Sequence, residues 1–297
     1  MGKFKLSQDL QHFYRNLRLK TYFGLQQDLT RNRIPTTVEN PIPELSHFLH
    51  ILKQFPTTPP GCLLVTFNVK SLYTSIKHDL GIKAVGDLLE HSAFSINSRH
   101  LCFNLVSLIL HENYFLFGDQ FYLQTQGTAM GANVAPAYAN IYMDSFEYNY
   151  VYENILFKTH NLCWFCYIDD MFCIWMGPYD TLVTFTEHLN SIRPELQFTL
   201  NYSLTHISFL DTLVTREPSG QLSTDIISKP TDSNSLLTFH SCHPSSIKHS
   251  LPSSQFKRVT CIVSNPSLLP GHVDKISLKF AARHYPKNLL DRENCWP

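Results

Sequence analysis

Two adjacent carboxylates, Asp169 and Asp170, lie between two apolar, aromatic-rich runs at residues 162–167 and 171–176. This pattern predicts two strands joined by a tight turn, with both acids at the hairpin tip. Like charges among apolar side chains are unfavourable unless a cation neutralises them. Carboxylate oxygens suit magnesium or manganese. The hairpin therefore favours metal-assisted phosphoryl transfer.

Charge is distributed unevenly along the 297 residues, although the net charge is zero. Residues 1–33 carry a net charge of +5, residues 34–247 carry −10, and residues 248–297 carry +5. An acidic centre between basic ends fits a metal-using core whose flanks contact phosphate. Ordinary solvated surface charge is the alternative explanation.

The chain has no apolar run approaching the roughly 20 residues that a membrane helix needs, and no apolar secretory core at its start. Its eight cysteines are scattered among apolar segments. We therefore expect an intracellular protein with reduced thiols and no membrane partner. Cys163 and Cys166 have the spacing of a metal or redox motif, but on a strand they should point to different faces, which favours core packing.

Hydrophobic periodicity and turn residues predict a chain of mixed helices and strands. The predicted helices are residues 8–29, 44–54, 80–90 with Asp79 as N-cap, a helix from Ser95 or Asn97 to His111, 133–152 and 180–191. The predicted strands besides the acidic hairpin are residues 63–69, 113–117, 120–124, 197–200, 207–213 and 222–228. From Lys229 onward, proline and serine mark a change of character, which places a domain boundary near residue 230.

Four segments supply polar side chains for one active site: residues 66–76, residues 124–136, the acidic hairpin, and residues 207–212 with 226–232. Together they resemble the palm of a reverse transcriptase, most closely that of Penelope-like retroelements. Residues 67–76 resemble that family's Phe-Asp-Val-Lys-Ser-Leu-Tyr-Thr-Asn-Ile, and residues 127–140 resemble its Gly-x-x-Met-Gly followed by Ala-Pro and Tyr-Ala-Asn. The resemblance covers roughly residues 45–290, and several motifs in order are more specific than a lone Tyr-x-Asp-Asp.

The resemblance implies an α+β fold: a right-hand polymerase palm, with an antiparallel sheet backed by helices, and a small C-terminal helical thumb-like region. It divides the chain into an N-terminal helical arm and linker at residues 1–44, a reverse-transcriptase palm at residues 45–230, and the thumb-like region at residues 231–297.

The family's activity is RNA-directed DNA synthesis, in which two Mg²⁺ or Mn²⁺ ions assist nucleotidyl transfer among an RNA template, a DNA primer and a dNTP. By resemblance, Asp169 and Asp170 are metal ligands together with the backbone carbonyl of Val69. The resemblance also gives nucleotide contacts to Tyr73, Gln126 and Gly127, and a phosphate contact to Lys229. A buried tyrosine, a loop-to-helix turn and a solvated lysine are the alternatives for Tyr73, Gly127 and Lys229.

Two departures from the family predict impaired catalysis. Position 68 is asparagine where the family has its other catalytic aspartate, and an amide binds a hard cation more weakly than a carboxylate. The segment ahead of residue 60 lacks the family's fingers motifs, and the chain does not extend into the GIY-YIG-type endonuclease of such elements. Two alternatives stay open: a non-catalytic module that binds nucleic acid or protein, and an element remnant whose apolar palm surface is exposed.

Overall fold

The computed structural model describes residues 45–227 and 235–293. The helices are α1 Leu45–Gln54, α2 Leu72–Ser75, α3 His78–Glu90, α4 Ile96–His111, α5 Ala135–Phe146, α6 Ile155–His160, α7 Tyr179–Ile192, α8 Ser245–Ile262, α9 Leu269–Ala281 and α10 Lys287–Glu293. The strands are β1 Leu63–Val69, β2 Tyr114–Phe117, β3 Gln120–Leu123, β4 Asn161–Tyr167, β5 Asp170–Trp175, β6 Phe198–Ser203, β7 His206–Phe209, β8 Thr212–Arg216 and β9 Leu222–Ile226.

These elements form two compact units, each assembled from separate stretches of chain. The described part of the first unit is residues 68–160 and 180–199, and that of the second unit is residues 45–67, 161–179, 200–227 and 235–293. The predicted helix at residues 8–29 lies outside the described residues.

In the first unit, helices α4 and α5 both pack against α3. Gly81 of α3 permits close approach to Tyr138 of α5, because a Cβ at Gly81 would overlap the tyrosine ring. Helix α5 continues into a π-helical turn at Glu147–Val151. Phe146, the last residue of α5, stacks on Phe198 with ring centroids 5.4 Å apart. These contacts hold the first unit around the helix predicted over residues 133–152.

Strands β2 and β3 of the first unit form a separate two-stranded antiparallel hairpin. Its turn is Gly118-Asp119, as the sequence predicts. Every residue of both strands is exposed, although the strands are almost entirely apolar. The hairpin therefore differs from a strand pair in a protein core, where such side chains are covered.

In the second unit, a four-stranded sheet has the order β4-β5-β1-β6, and residues 63–67 of β1 belong to this unit. Phe48 of α1 packs edge-on against three phenylalanines of the unit, with ring centroids 4.8–5.7 Å apart: Phe165, Phe172 and Phe209. Edge-to-face contacts of this kind add to the burial of the rings themselves. This aromatic cluster is the core on which β4 and β5 lie.

Within the second unit, helix α8 packs against strand β9 and helix α1, and helices α9 and α10 pack on α8. Strand β9 belongs to a three-stranded antiparallel sheet of order β7-β8-β9. Its Thr224 donates a hydroxyl hydrogen bond of 2.5 Å to the carbonyl of Ile262 at the end of α8. Arg258 of α8 forms an ion pair of 2.5 Å with Asp211 in the β7–β8 turn. These contacts fix the C-terminal helices to the β7–β9 sheet.

The element predictions are largely confirmed, with three corrections. Asp79 is not an N-cap, since α3 begins at His78 after Lys77, and the acid lies in the first helical turn instead. The strand predicted at residues 207–213 is two strands, because Leu210 adopts a positive φ of 54° and reverses the chain. Helices α2 and α6 are absent from the prediction. Ser95 is the N-cap of α4, as expected, and its hydroxyl accepts a hydrogen bond from the Ser98 amide.

Candidate functional site

The acidic hairpin consists of β4 and β5, paired antiparallel from Asn161 with Trp175 to Tyr167 with Asp170. Ile168 and Asp169 are therefore the two turn residues, and Asp170 is the first residue of β5. Both aspartates are half-buried, whereas residues 171–175 behind them are fully buried. The predicted arrangement is confirmed: two carboxylates lie at the tip of a hairpin whose strands are in the core.

Ile168 holds an unusual backbone conformation at this tip. Its φ is +58°, in the left-handed region that β-branched residues avoid. A left-handed conformation costs an ordinary residue about 1–2 kcal/mol, and strained residues of this type cluster at functional sites. The Cys166 thiol donates to the Ile168 carbonyl over 3.8 Å. The buried strands thus hold the acidic turn in a conformation that its sequence does not favour.

The thiols of the acidic hairpin are packed in the core. Cys163 and Cys173 are fully buried, and burial raises the pKa of each thiol well above its usual range. Cys163 belongs to the aromatic cluster around Phe48. Cys166 is three residues further along the same strand, so that it faces the other side of the sheet. Protonated, separated thiols support the core-packing interpretation of this pair.

Asn68 and Val69 form the end of β1 and belong to the first unit. Asn68 is half-buried, and its backbone carbonyl accepts a hydrogen bond of 3.1 Å from the Thr199 hydroxyl. The next residue but one, Lys70, donates its backbone N–H to the Gln197 carbonyl over 2.9 Å. Val69 is buried. Hydrogen bonds with the Gln197 backbone and the Thr199 hydroxyl thus fix the strand end that carries the amide.

Tyr73, Gln126 and Gly127 are brought together in the first unit. The Gly127 amide donates to the Ile76 carbonyl over 2.8 Å, and the Thr128 amide donates to the Tyr73 carbonyl over 2.7 Å. Gly127 has a φ of +72°, and a Cβ there would overlap the backbone of Tyr73 and Thr74. The glycine is therefore required by close packing of its loop, residues 124–131, on helix α2.

Gln126 is also engaged with α2. Its side-chain amide donates to the carbonyls of Thr74 and Ser75, over 3.3 and 3.0 Å. On the other side of the loop, His78 donates through Nε2 to the Gly127 carbonyl over 2.7 Å. His78 is only 8% exposed, and its ring meets that of His111 edge-on at 5.4 Å. Sequence reasoning missed these two histidines, because neither belongs to a recognised motif.

A pocket of about 420 Å³ opens beside this loop in the first unit. Its lining residues come from the start of α3, the end of α4 and the segment after β3: Lys77, His78, Asp79, His111, Leu123, Gln124, Thr125 and Gln126. The Lys77 ammonium lies 3.7 Å from the Glu195 carboxylate. The pocket therefore combines an apolar wall with groups of both charges.

The predicted site residues fall into separate groups. Asp169 and Asp170 lie at the hairpin tip in the second unit, whereas Asn68, Val69, Tyr73, Gln126 and Gly127 belong to the first unit. Lys229 lies outside the described residues. Within residues 45–227 and 235–293, no three histidine, cysteine, aspartate or glutamate side chains form a group that could hold a metal ion. In that same part of the chain, no helix is both long and apolar enough to cross a bilayer.

Comparison with solved structures identifies the fold. Telomerase from Candida albicans, in complex with a fragment of telomeric RNA, matches 94% of this chain with a TM-score of 0.61 at 11% identity. Apo telomerase from Candida tropicalis matches 96% with a TM-score of 0.56 at 13% identity. The RNA-dependent RNA polymerase of a human picobirnavirus matches 91% with a TM-score of 0.56 at 12% identity.

The chain therefore has the mixed helix and antiparallel-sheet fold of right-hand polymerases, which confirms the predicted fold class. It spans 52% of the length of each of these three proteins. Residues 235–294 match the family model described as an animal helix-turn-helix domain. No curated protein sequence is significantly similar to the chain.

Proposed function

We propose that this chain derives from a Penelope-like reverse transcriptase, that it binds RNA or an RNA–DNA duplex, and that its nucleotidyl transfer is severely impaired. The polymerase-like fold supports the class of partner. The observation that carries the impairment is Asn68. Resemblance gives this position to the third carboxylate of the metal site, and the chain has a neutral amide there.

The oxygen ligands that resemblance assigns would hold a divalent cation only weakly. Asp169 and Asp170 offer half-buried carboxylates at the tip of a buried hairpin, and the Val69 carbonyl is the further ligand that resemblance implies. Mg²⁺ or Mn²⁺ prefers such oxygen ligands. When bound, the ions would stabilise the attacking and leaving oxygens of the transfer. Two formal negative charges in place of three reduce the affinity for a second cation.

Primer extension tests the impairment. The purified chain, with an RNA template, a DNA primer, dNTPs and either Mg²⁺ or Mn²⁺, should extend the primer no faster than the Asp169→Ala variant. Robust extension by the wild-type chain that Asp169→Ala abolishes would contradict the proposal.

The Asn68→Asp variant tests cation binding separately from nucleotidyl transfer. A third carboxylate should tighten Mn²⁺ binding by about tenfold or more, because one more unit charge at ligand distance contributes several kcal/mol before desolvation is subtracted. Electron paramagnetic resonance of free Mn²⁺ measures this directly. Extension should stay low, since the fingers motifs are still missing. The matched control is Asn104→Asp on α4, and an equal gain in Mn²⁺ affinity there would refute the ligand role of position 68.

A second candidate, nucleic-acid binding without catalysis through the C-terminal helices, is favoured by the helix-turn-helix match at residues 235–294. This stretch carries eight basic and three acidic side chains. Binding of a labelled RNA–DNA duplex should weaken steeply with salt, because phosphate contacts release counterions. It should survive Asp169→Ala and weaken when the exposed Lys257 and Lys275 are both changed to glutamine. Absence of binding at low salt would exclude both candidates.

A further inference from the structure

The β2–β3 hairpin of the first unit has the sequence of a buried strand pair in an exposed position. The side chains on one face are Tyr114, Leu116, Phe121 and Leu123, which the register pairs directly across the two strands. The other face carries Phe115 stacked on Tyr122, with centroids 5.7 Å apart, together with Phe117 and Gln120. Strands that are apolar on both faces are typical of sheets covered on both sides.

The exposed area of one face is large enough for a weak interface. Seven apolar residues of the hairpin are exposed, and Phe117 and Phe121 are each 74% exposed. With about 200 Å² for the full area of each such residue, the face of Tyr114, Leu116, Phe121 and Leu123 leaves about 470 Å² accessible, and the opposite face leaves about 330 Å². The larger face has the size that weak, concentration-dependent interfaces bury per partner. Isolated exposed side chains on an ordinary surface do not form a continuous apolar face of this kind.

The hairpin also lacks the features that keep sheet edges apart. Between Tyr114 and Leu123 the only charged side chain is Asp119, in the turn. Neither strand contains lysine or proline, the usual protections of an exposed edge. Among the described residues the sheet has only these two strands, so that the outer edge of each has no strand beside it.

From these observations we propose that the β2–β3 hairpin is a self-association surface, on which a second copy of this chain docks its own hairpin about a twofold axis. An isologous interface needs a patch that complements itself, and an uncharged apolar patch does so. Recognition of a charged partner would need charged side chains of the opposite sign on the hairpin. The two strands have no charged side chain. For the same reason the hairpin offers no electrostatic complement to the basic segment at residues 1–33.

Sedimentation velocity on the full chain, from about 1 to about 100 µM, tests the proposal in the range where a weak interface gives a measurable equilibrium. The wild-type chain should change from monomer to dimer. Leu116→Lys places an ammonium group in the contact, and it should raise the dimer dissociation constant at least tenfold. The matched control is Leu278→Lys on α9 in the second unit, where an exposed leucine lies outside the hairpin. This control should leave dimerisation unchanged.

Folding of each variant is checked by circular dichroism and by its urea midpoint, and Phe121→Lys provides an independent change on the same face. Mixing Leu116→Lys with Leu116→Glu should restore a heterodimer, because the twofold axis brings the two patches together. A wild-type chain that is monomeric at the highest concentration would overturn the proposal. Equal weakening by Leu116→Lys and Leu278→Lys, or open-ended aggregates without a defined mass, would also overturn it.

Discussion

Two of the tight hairpins of this chain, β4–β5 and β2–β3, have similar sequences and opposite environments. β4–β5 and β2–β3 are each two apolar strands joined by a two-residue turn whose second residue is aspartate. In β4–β5 most strand residues are buried, whereas in β2–β3 every strand residue is exposed. The difference shows that apolar strand sequences predict which faces are buried, whereas the packing of the surrounding elements determines whether those faces are in fact buried.

Backbone strain differs between the two turns, and it is the buried hairpin that has the strained turn. Gly118 begins the exposed turn with a φ of +60°, which glycine adopts without strain. Ile168 begins the acidic turn with almost the same φ, +58°. In hairpin turns of type II′ the first central residue has a positive φ, and this residue is usually glycine. The exposed hairpin thus has a favourable turn and uncovered strands, and the acidic hairpin has covered strands and a strained turn.

The largest expected effect comes from truncating one aromatic residue in each of these two hairpins. Phe172→Ala removes a fully buried ring that contacts Phe48, and it should lower the free energy of unfolding by about 3–5 kcal/mol. Phe121→Ala, at 74% exposure, should change it by less than about 0.5 kcal/mol. Urea denaturation at low protein concentration measures both. Similar losses for the two variants would mean that the exposed hairpin is covered in solution even at low concentration.

The next effect concerns two glycines with positive φ. A Cβ added at Gly118 would meet no heavy atom within 4 Å, whereas Gly127 lies against the backbone of helix α2. Gly118→Ala should therefore destabilise by about 1 kcal/mol, from conformation alone. Gly127→Ala adds steric overlap and should destabilise by about 3 kcal/mol. Thermal unfolding distinguishes them, and equal shifts in Tm would contradict the packing of residues 124–131 on α2.

A smaller effect, of opposite sign, is expected at the acidic turn. Ile168→Gly relieves the left-handed strain and should raise the free energy of unfolding by up to about 1 kcal/mol. The gain is partly offset, because glycine adds conformational freedom to the unfolded chain. The reciprocal change Gly118→Ile should destabilise by about 1–2 kcal/mol. A destabilised Ile168→Gly variant would show that the isoleucine side chain makes packing contacts that outweigh its backbone strain.

The smallest perturbation is chemical labelling of cysteines, which measures the solvent accessibility of their thiols without a mutation. Burial raises the pKa of the Cys163 and Cys173 thiols, so that they stay protonated in the folded chain as pH rises from 7 to about 9. Iodoacetamide should therefore modify the exposed Cys242 and Cys261 first, and reach the hairpin thiols only after unfolding. Mass spectrometry of the native protein locates the label. Early modification of Cys163 would show that the acidic hairpin opens readily.

Much of the fold followed from sequence because its signals are local. The Tyr-Ile-Asp-Asp turn, the Gly-Asp turn and the Ser95 cap each depend on a few neighbouring residues. The reversal of the chain at Leu210 could not be predicted, because leucine is not typical of turns. The pairing of β7 with β8 determines the position of this turn. The N-cap prediction for Asp79 was wrong because acidic residues are typical both of the N-cap and of the first helical turn, and the sequence does not distinguish the two positions.

The residues of the candidate site follow from resemblance and stay a prediction, whereas their contacts come from the structure. Resemblance gives Gln126 and Gly127 as nucleotide contacts, and the structure shows that both bind the backbone of residues 73–76. His78 was missed, because its bond to the Gly127 carbonyl joins residues 49 positions apart. The exposure of β2–β3 was missed as well, since apolar strands predict coverage.

The packing of Gly127 on α2 gives this glycine a structural role. The residue is needed for the backbone to close on itself, whether or not the chain ever meets a nucleotide. Replacing this glycine would destabilise a chain of this fold even in the absence of any polymerase activity. The presence of the glycine is therefore, by itself, no evidence that such a chain is catalytically active.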